Sequence, residues 1–173
     1  MILRFCSQCG AALGEAAPCR CGACGQEFWD NPKPCGGGFV AHRGRLLLVQ
    51  RANDPWAGHW DVPGGFSDGD EHPEATTVRE VREETGLDVR VTGLLGMWID
   101  GYDATVGATL NVCFHAVADD PSVAEARDET TAIRWFTAAE LADVPLAFPD
   151  HMREAVDRWR ASPAAGPATP PGC

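Results

Sequence analysis

Between Gly65 and Leu87 the chain carries seven carboxylates (Asp68, Asp70, Glu71, Glu74, Glu80, Glu83, Glu84) and only two bases, Arg79 and Arg82. The pattern predicts a helix from Pro73 to Thr85: proline suits the first turn, Ala75, Val78 and Val81 recur at spacings of three, and Gly86 supplies the stop. Residues i, i+3 and i+4 share a helical face, so Glu80, Glu83 and Glu84 project together. Three like charges at that spacing repel unless a cation sits among them. An all-oxygen set suits Mg²⁺ or Mn²⁺, which keep waters and bind substrate phosphates in their remaining positions. An arbitrary acidic run is ordinarily a solvated face. Here the bases directly precede Glu80 and Glu83, which leaves the acidic stripe uncompensated. The turn Pro63-Gly64-Gly65 just before it lets backbone approach a ligand closely.

A second cluster lies at the start of the chain, where five of the eight cysteines precede residue 25. Cys6-Ser7-Gln8-Cys9-Gly10 and Cys21-Gly22-Ala23-Cys24-Gly25 are repeated Cys-x2-Cys-Gly units, the layout of two facing knuckles. Four thiolates make a closed tetrahedral site for structural zinc, and so short a segment has too little apolar material to fold without one. Cys19 offers an alternative to Cys21, which is favoured because it sits in the repeated unit. Cys35, Cys113 and Cys173 fit no ligand spacing and read as a loop residue, a strand core residue and a free tail thiol.

The rest of the chain must position these groups. At 173 residues it fits one ordinary domain with a small appendage. Its net charge of −11 disfavours a nucleic-acid binder that tracks phosphates and an anionic membrane surface alike. No apolar run reaches the roughly 18 residues of a membrane span, and no secretory signal is evident, so the expected compartment is the cytoplasm. Asp30 to Pro34 reads as an extended connector. Phe39–Ala41 and Leu46–Val49 form a hairpin across Gly44, and strands follow at 94–99, 109–117 and 132–136. Thr137 to Glu140 is a capping box, and 150–161 is an amphipathic helix with Met152, Val156 and Trp159 on one face. The expected organisation is a four-cysteine module and connector over 1–34, a main domain over 35–161, and a disordered Pro/Ala-rich tail over 162–173.

Gly65, Glu71 and Arg79-Glu80-Val81-Arg82-Glu83-Glu84-Thr85-Gly86-Leu87 fill every constrained position of one sequence box. Leu48-Val49-Gln50-Arg51, the segment Gly58 to Phe66 and Trp135-Phe136 agree with it. In these residues the chain resembles the Nudix hydrolase family. The resemblance implies an α+β fold, a mixed β-sheet packed between helices and preceded here by a small zinc-ribbon module, that hydrolyses a diphosphate linkage in a nucleoside diphosphate bonded to another group. It implies Glu80, Glu83 and Glu84 as ligands of Mg²⁺ or Mn²⁺, with Glu71 and Arg79 bracing the loop and helix by ion pairing. A further acid from a later loop completes the catalytic set as ligand or base; Glu129 matches best, with Glu125 and Asp128 as alternatives. Cation-activated water then attacks phosphorus in line while a carboxylate takes its proton, with no protein nucleophile.

The four-cysteine module followed by Phe28-Trp29-Asp30-Asn31-Pro32-Lys33 is similar to the zinc-ribbon group of Nudix enzymes, which includes NADH pyrophosphatases and enzymes acting on FAD or ADP-ribose. The Ser-Gln-Pro-Trp-type motif of NADH pyrophosphatases is missing after Leu87. Gly65, Arg51 and Trp98 are expected at the substrate, and Trp98, Tyr102, Trp60 and Phe66 are candidates for stacking a base. The expected partner is a small-molecule nucleotide, without nucleic acid or membrane, and a homodimer is a family expectation. The alternatives are a nucleoside triphosphate pyrophosphohydrolase and a non-catalytic nucleotide sensor.

Overall fold

The computed structural model describes residues 2–103 and 105–165. Residues 166–173, with the tail thiol Cys173, lie outside the described residues. In chain order the elements are β1 (Ile2–Phe5), β2 (Ala12–Ala16), β3 (Cys19–Arg20), β4 (Glu27–Phe28), β5 (Lys33–His42), β6 (Arg45–Arg51), β7 (Trp60–Asp61), β8 (Gly64–Phe66), α1 (Pro73–Thr85), β9 (Val89–Asp103), β10 (Gly107–Ala118), β11 (Thr130–Thr137) and α2 (Pro149–Arg160). The main sheet runs β11-β6-β5-β10-β9, with β7 beside β6 and β8 beside β5. β5 pairs parallel to β10 from Lys33↔Thr109 to Val40↔Ala116, and antiparallel to β6 and β8, so the sheet is mixed.

Period-two alternation along β5 and β6 sends side chains to opposite faces. Phe39, Leu46 and Leu48 join Met152, Ala155, Val156 and Trp159 of α2 in one core, while Val40 and Leu47 join Val81, Leu87 and Ala116 in the other. The sheet is therefore held between the two helices.

The bounds expected for α1 hold, with His72 Nδ1 accepting from Glu74 N–H at 3.2 Å and Gly86 closing the helix at φ 70°. Its expected apolar face does not. Ala75 and Val78 face outward, and the buried residues are Thr76, Thr77, Val81 and Thr85. The reason lies in β5: a β-carbon on Gly36 would sit 2.3 Å from the Pro73 carbonyl oxygen, and one on Gly38 would sit 2.8 Å from Val81. The helix approaches so closely that only small side chains fit beneath it. The threonine hydroxyls find local partners, Thr77 donating to the Pro73 carbonyl at 2.9 Å.

Lys33 and Pro34, expected in a connector, begin β5, and Cys35, expected in a loop, is a buried strand residue. The parallel ladder to β10, 76 residues later at Lys33↔Thr109, extends the strand. Thr137 and Glu140 do cap each other (Glu140 carboxylate to Thr137 N–H, 2.8 Å), over a single 3₁₀ turn, Glu140–Ala142. Among the described residues no helix is long and apolar enough to cross a membrane.

Candidate active site

The sulfur atoms of Cys6, Cys9, Cys21 and Cys24 all lie within 4.8 Å of one another, with Cys6–Cys24 at 3.6 Å and Cys9–Cys21 at 3.8 Å. Thiolates about 2.3 Å from a tetrahedral zinc stand about 3.8 Å apart, so the donor set fits that ion. Both knuckles have the same backbone: the N–H of Gly10 and of Gly25 each donates to the carbonyl of the first cysteine at 2.9 Å, with φ of 75° and 78°. The N–H groups of Cys24 and Ala23 turned toward Cys21 bring its thiol down to about 6. Cys19 sits in β3 opposite Phe28 and is not part of the cluster.

A cleft of about 350 Å³ opens beside β8 and the face of α1. Arg79 organises its acidic end. Its Nε and Nη2 donate to Glu71 at 3.0 and 2.8 Å, Nη1 to Glu80 at 2.6 Å and to Glu83 at 3.0 Å, and Nη2 to the Phe66 carbonyl at 3.0 Å. Hydrogen bonding from Arg79 holds the Glu71 carboxyl down at about 2. Glu80 lies directly against the backbone of Gly65, where a β-carbon would meet its Oε1 at 2.5 Å. Glu84 accepts the Gly64 N–H at 3.1 Å, and burial, reinforced by Asp61 and Glu80, pushes it up to about 8. Burial also raises Glu80.

These carboxylates offer the oxygen donors that a hard divalent cation takes, although among the described residues only the four cysteines bring their ligand atoms together within 4.8 Å. Two of the carboxylates carry a burial penalty on their charged form that a cation would relieve. The stripe expected to be uncompensated is not so: the Arg79 guanidinium reaches along the helix and supplies the positive charge between Glu80 and Glu83.

The loop after β10 is tied to the end of α1: Glu125 N–H donates to the Thr85 carbonyl at 3.1 Å and Arg127 N–H to the Glu84 carbonyl at 2.9 Å. That docking brings Glu129 and Asp128 to the cleft, while Glu125 pairs with Arg127 outside it. Gly65 and Arg51 line the cleft as well. Arg51 donates to Asp61 at 3.4 Å, to the Pro55 carbonyl at 2.9 Å and to the Tyr102 hydroxyl at 3.2 Å. Its guanidinium lies 5.2 Å from the Phe148 ring centroid. Phe66, Tyr102 and Phe148 form an aromatic wall, with Tyr102–Phe148 stacked at 5.5 Å and Phe66–Tyr102 at 5.4 Å.

Trp98 and Trp60 are elsewhere. Trp98 packs on the core with Arg158 5.1 Å from its ring, and Trp60 packs edge-on to Phe136 at 5.0 Å. Cys113 is buried at the cleft floor, its thiol pushed up to about 12 by desolvation, which makes it a poor nucleophile.

Sequence reasoning missed Asp61, Phe148 and the pair Asp100–His151. Asp61 carried a signal, a carboxylate in the strand leading into the glycine turn. Burial raises it to about 6 against the pull of Arg51. Phe148 and His151 carried none, because they reach the cleft only through the placement of α2.

Residues 37–159 match the NUDIX domain family model. The chain belongs to the Nudix family. Among relatives, it is 38% identical over 126 residues to an ADP-ribose pyrophosphatase of Methanocaldococcus jannaschii, covering 71% of this chain and 72% of that protein. It is 29% identical over 174 residues to the NAD-capped RNA hydrolase NudC of Pseudomonas aeruginosa, covering 96% of this chain and 60% of that one. The Nudix chain thus spans 60 to 64% of the length of several curated relatives it matches. The crystal structure of a NUDIX hydrolase from Nitrosomonas europaea superposes with a TM-score of 0.74 at 25% identity, covering 94% of this chain and 96% of that one. The Nudix fold thus accounts for the mixed sheet between two helices.

Proposed function

We propose that this Nudix protein hydrolyses the pyrophosphate bond of a nucleoside diphosphate linked to a second group, in the class of ADP-ribose, FAD and similar dinucleotides. The observation that carries the reading is a cleft in which half-buried carboxylates meet an aromatic wall. Relatives named for ADP-ribose and for NAD-capped RNA support it, since both compounds contain adenosine diphosphate joined to another moiety. At a net charge of −11, a free dinucleotide is preferred here over a long RNA chain.

In this reading Glu80, Glu83 and Glu84 hold Mg²⁺ or Mn²⁺, which when bound neutralises pyrophosphate oxygens and acidifies water. Arg79 and Glu71 keep the helix face and the Gly65 turn in register. Glu129, exposed on the docked loop, accepts the proton of the attacking water. Arg51 offers a cation to the substrate, and Phe66, Tyr102 and Phe148 receive a flat ring. Cys6, Cys9, Cys21 and Cys24 hold a structural zinc.

The test is hydrolysis of a panel of ADP-ribose, FAD, NADH, NAD, nucleotide sugars, dinucleoside polyphosphates and nucleoside triphosphates with Mg²⁺ or Mn²⁺, products resolved by chromatography. AMP released from one dinucleotide well above the rest is expected. Inorganic pyrophosphate from triphosphates would instead establish the triphosphate enzyme, and silence from folded, zinc-loaded protein would favour a sensor.

A further inference from the structure

The cleft holds a histidine that the reaction above does not use. His151, in the first turn of α2, is buried and lines the cleft. Its ring continues the aromatic wall, 6.0 Å from Phe148 at 34° and 6.4 Å from Trp98 at 33°. Its Nδ1 lies 2.7 Å from Oδ2 of Asp100, whose Oδ1 accepts the Gly101 N–H at 2.8 Å. Among the described residues no protein group bonds Nε2.

A carboxylate only accepts, so Asp100 places the ring hydrogen on Nδ1 and leaves Nε2 of the neutral imidazole as an acceptor. An acceptor set in a wall of rings discriminates strongly, because a ligand without a matching donor leaves it unpaired and desolvated. Two charged groups of the cleft are already engaged. Arg51 is committed to Asp61, Pro55 and Tyr102, and Asp61 to Arg51 and the Val62 N–H.

We propose that the Asp100–His151 pair reads the exocyclic amino group of the nucleobase, Nε2 accepting its N–H, and so selects 6-amino over 6-oxo purines. This rests on the reading that a nucleotide occupies the cleft with its base against Phe148 and Tyr102. Asp100 acts as a positioning residue that sets the tautomer.

The experiment is calorimetric titration of the full, zinc-loaded chain with AMP and with IMP, which differ at purine position 6, at about pH 8. The parent is expected to bind AMP at least about tenfold more tightly than IMP. In Asp100→Asn the side-chain oxygen keeps the Gly101 N–H and the amide nitrogen replaces Oδ2. It then donates to Nδ1 and moves the hydrogen to Nε2, so the preference turns toward IMP. In His151→Leu the two nucleotides converge to within about twofold. Thermal melting verifies that each variant is folded, and the parent's own ratio tests the proposal if a variant is not.

A parent ratio near unity, an AMP preference undiminished in both variants, or no binding of either nucleotide overturns it. The readout needs no turnover. Discrimination without hydrolysis of the panel would sink the hydrolase reading alone, and hydrolysis without discrimination would sink this one alone.

Discussion

Gly65 and Glu80 are in such close contact that a β-carbon on the glycine would lie 2.5 Å from the carboxylate oxygen. The half-buried Glu80 cannot retreat without breaking its 2.6 Å bond to Arg79. Gly65→Ala should therefore displace a proposed metal ligand and leave the core intact. The expected result is kcat/KM lowered by about a hundredfold, since a shift of about 1 Å at a reacting centre has that scale. The melting temperature should change little; a variant with parental activity would show that Glu80 is not held by this contact.

Glu83→Gln with Glu84→Gln should abolish turnover in a folded protein, by at least about a hundredfold. Glu129→Gln should lower kcat while leaving the Mn²⁺ affinity, read by calorimetry, near that of the parent. Weakened Mn²⁺ binding in Glu129→Gln would make that residue a ligand instead of the proton acceptor.

The Glu71–Arg79 pair sets a pH dependence with a definite sign. Hydrogen bonds from Arg79 depress the folded-state Glu71 carboxyl to about 2, from an ordinary 4.5. The pair's stabilisation is thus complete above about 4.5 and is lost as pH falls from there toward about 2. In urea titrations, Glu71→Gln should be less stable than the parent at neutral pH, and the difference should shrink across that window. A difference independent of pH would mean that packing, not the ion pair, carries the contribution.

Removal of the zinc proposed for the cysteine cluster should unfold the N-terminal segment that carries it. Metal analysis of the parent should give about one zinc per chain, Cys19→Ser should retain it, and Cys21→Ser should lose it. Retention in Cys21→Ser with loss in Cys19→Ser would reverse the ligand assignment.

Gly36→Ala tests the close approach of α1 to β5. The added carbon meets backbone, the Pro73 carbonyl at 2.3 Å, which cannot rotate away. Destabilisation of about 1–3 kcal/mol, the usual cost of overpacking, is expected in chemical denaturation. No loss would show that the helix can shift outward freely.

The helix from Pro73 to Thr85 and the hairpin of β5 and β6 were legible in the chain, because each depends on neighbours within a few turns or strands. The paired Cys-x2-Cys-Gly units were legible for the same reason, as each knuckle closes on its own glycine. Three features were decided only in three dimensions. The buried face of α1 is threonine and not Ala75 and Val78, because the glycines of β5 set how near the helix comes. Glu129, and not Glu125, reaches the cleft because the loop bonds to the carbonyls of Thr85 and Glu84. Trp98 stays off the cleft while Phe148 and His151 enter it, since β9 takes its register from its ladder with β10 and α2 is docked by burial of Trp159 and Val156 far along the chain. Local spacing determines which side chains share a face; long-range packing determines what that face meets.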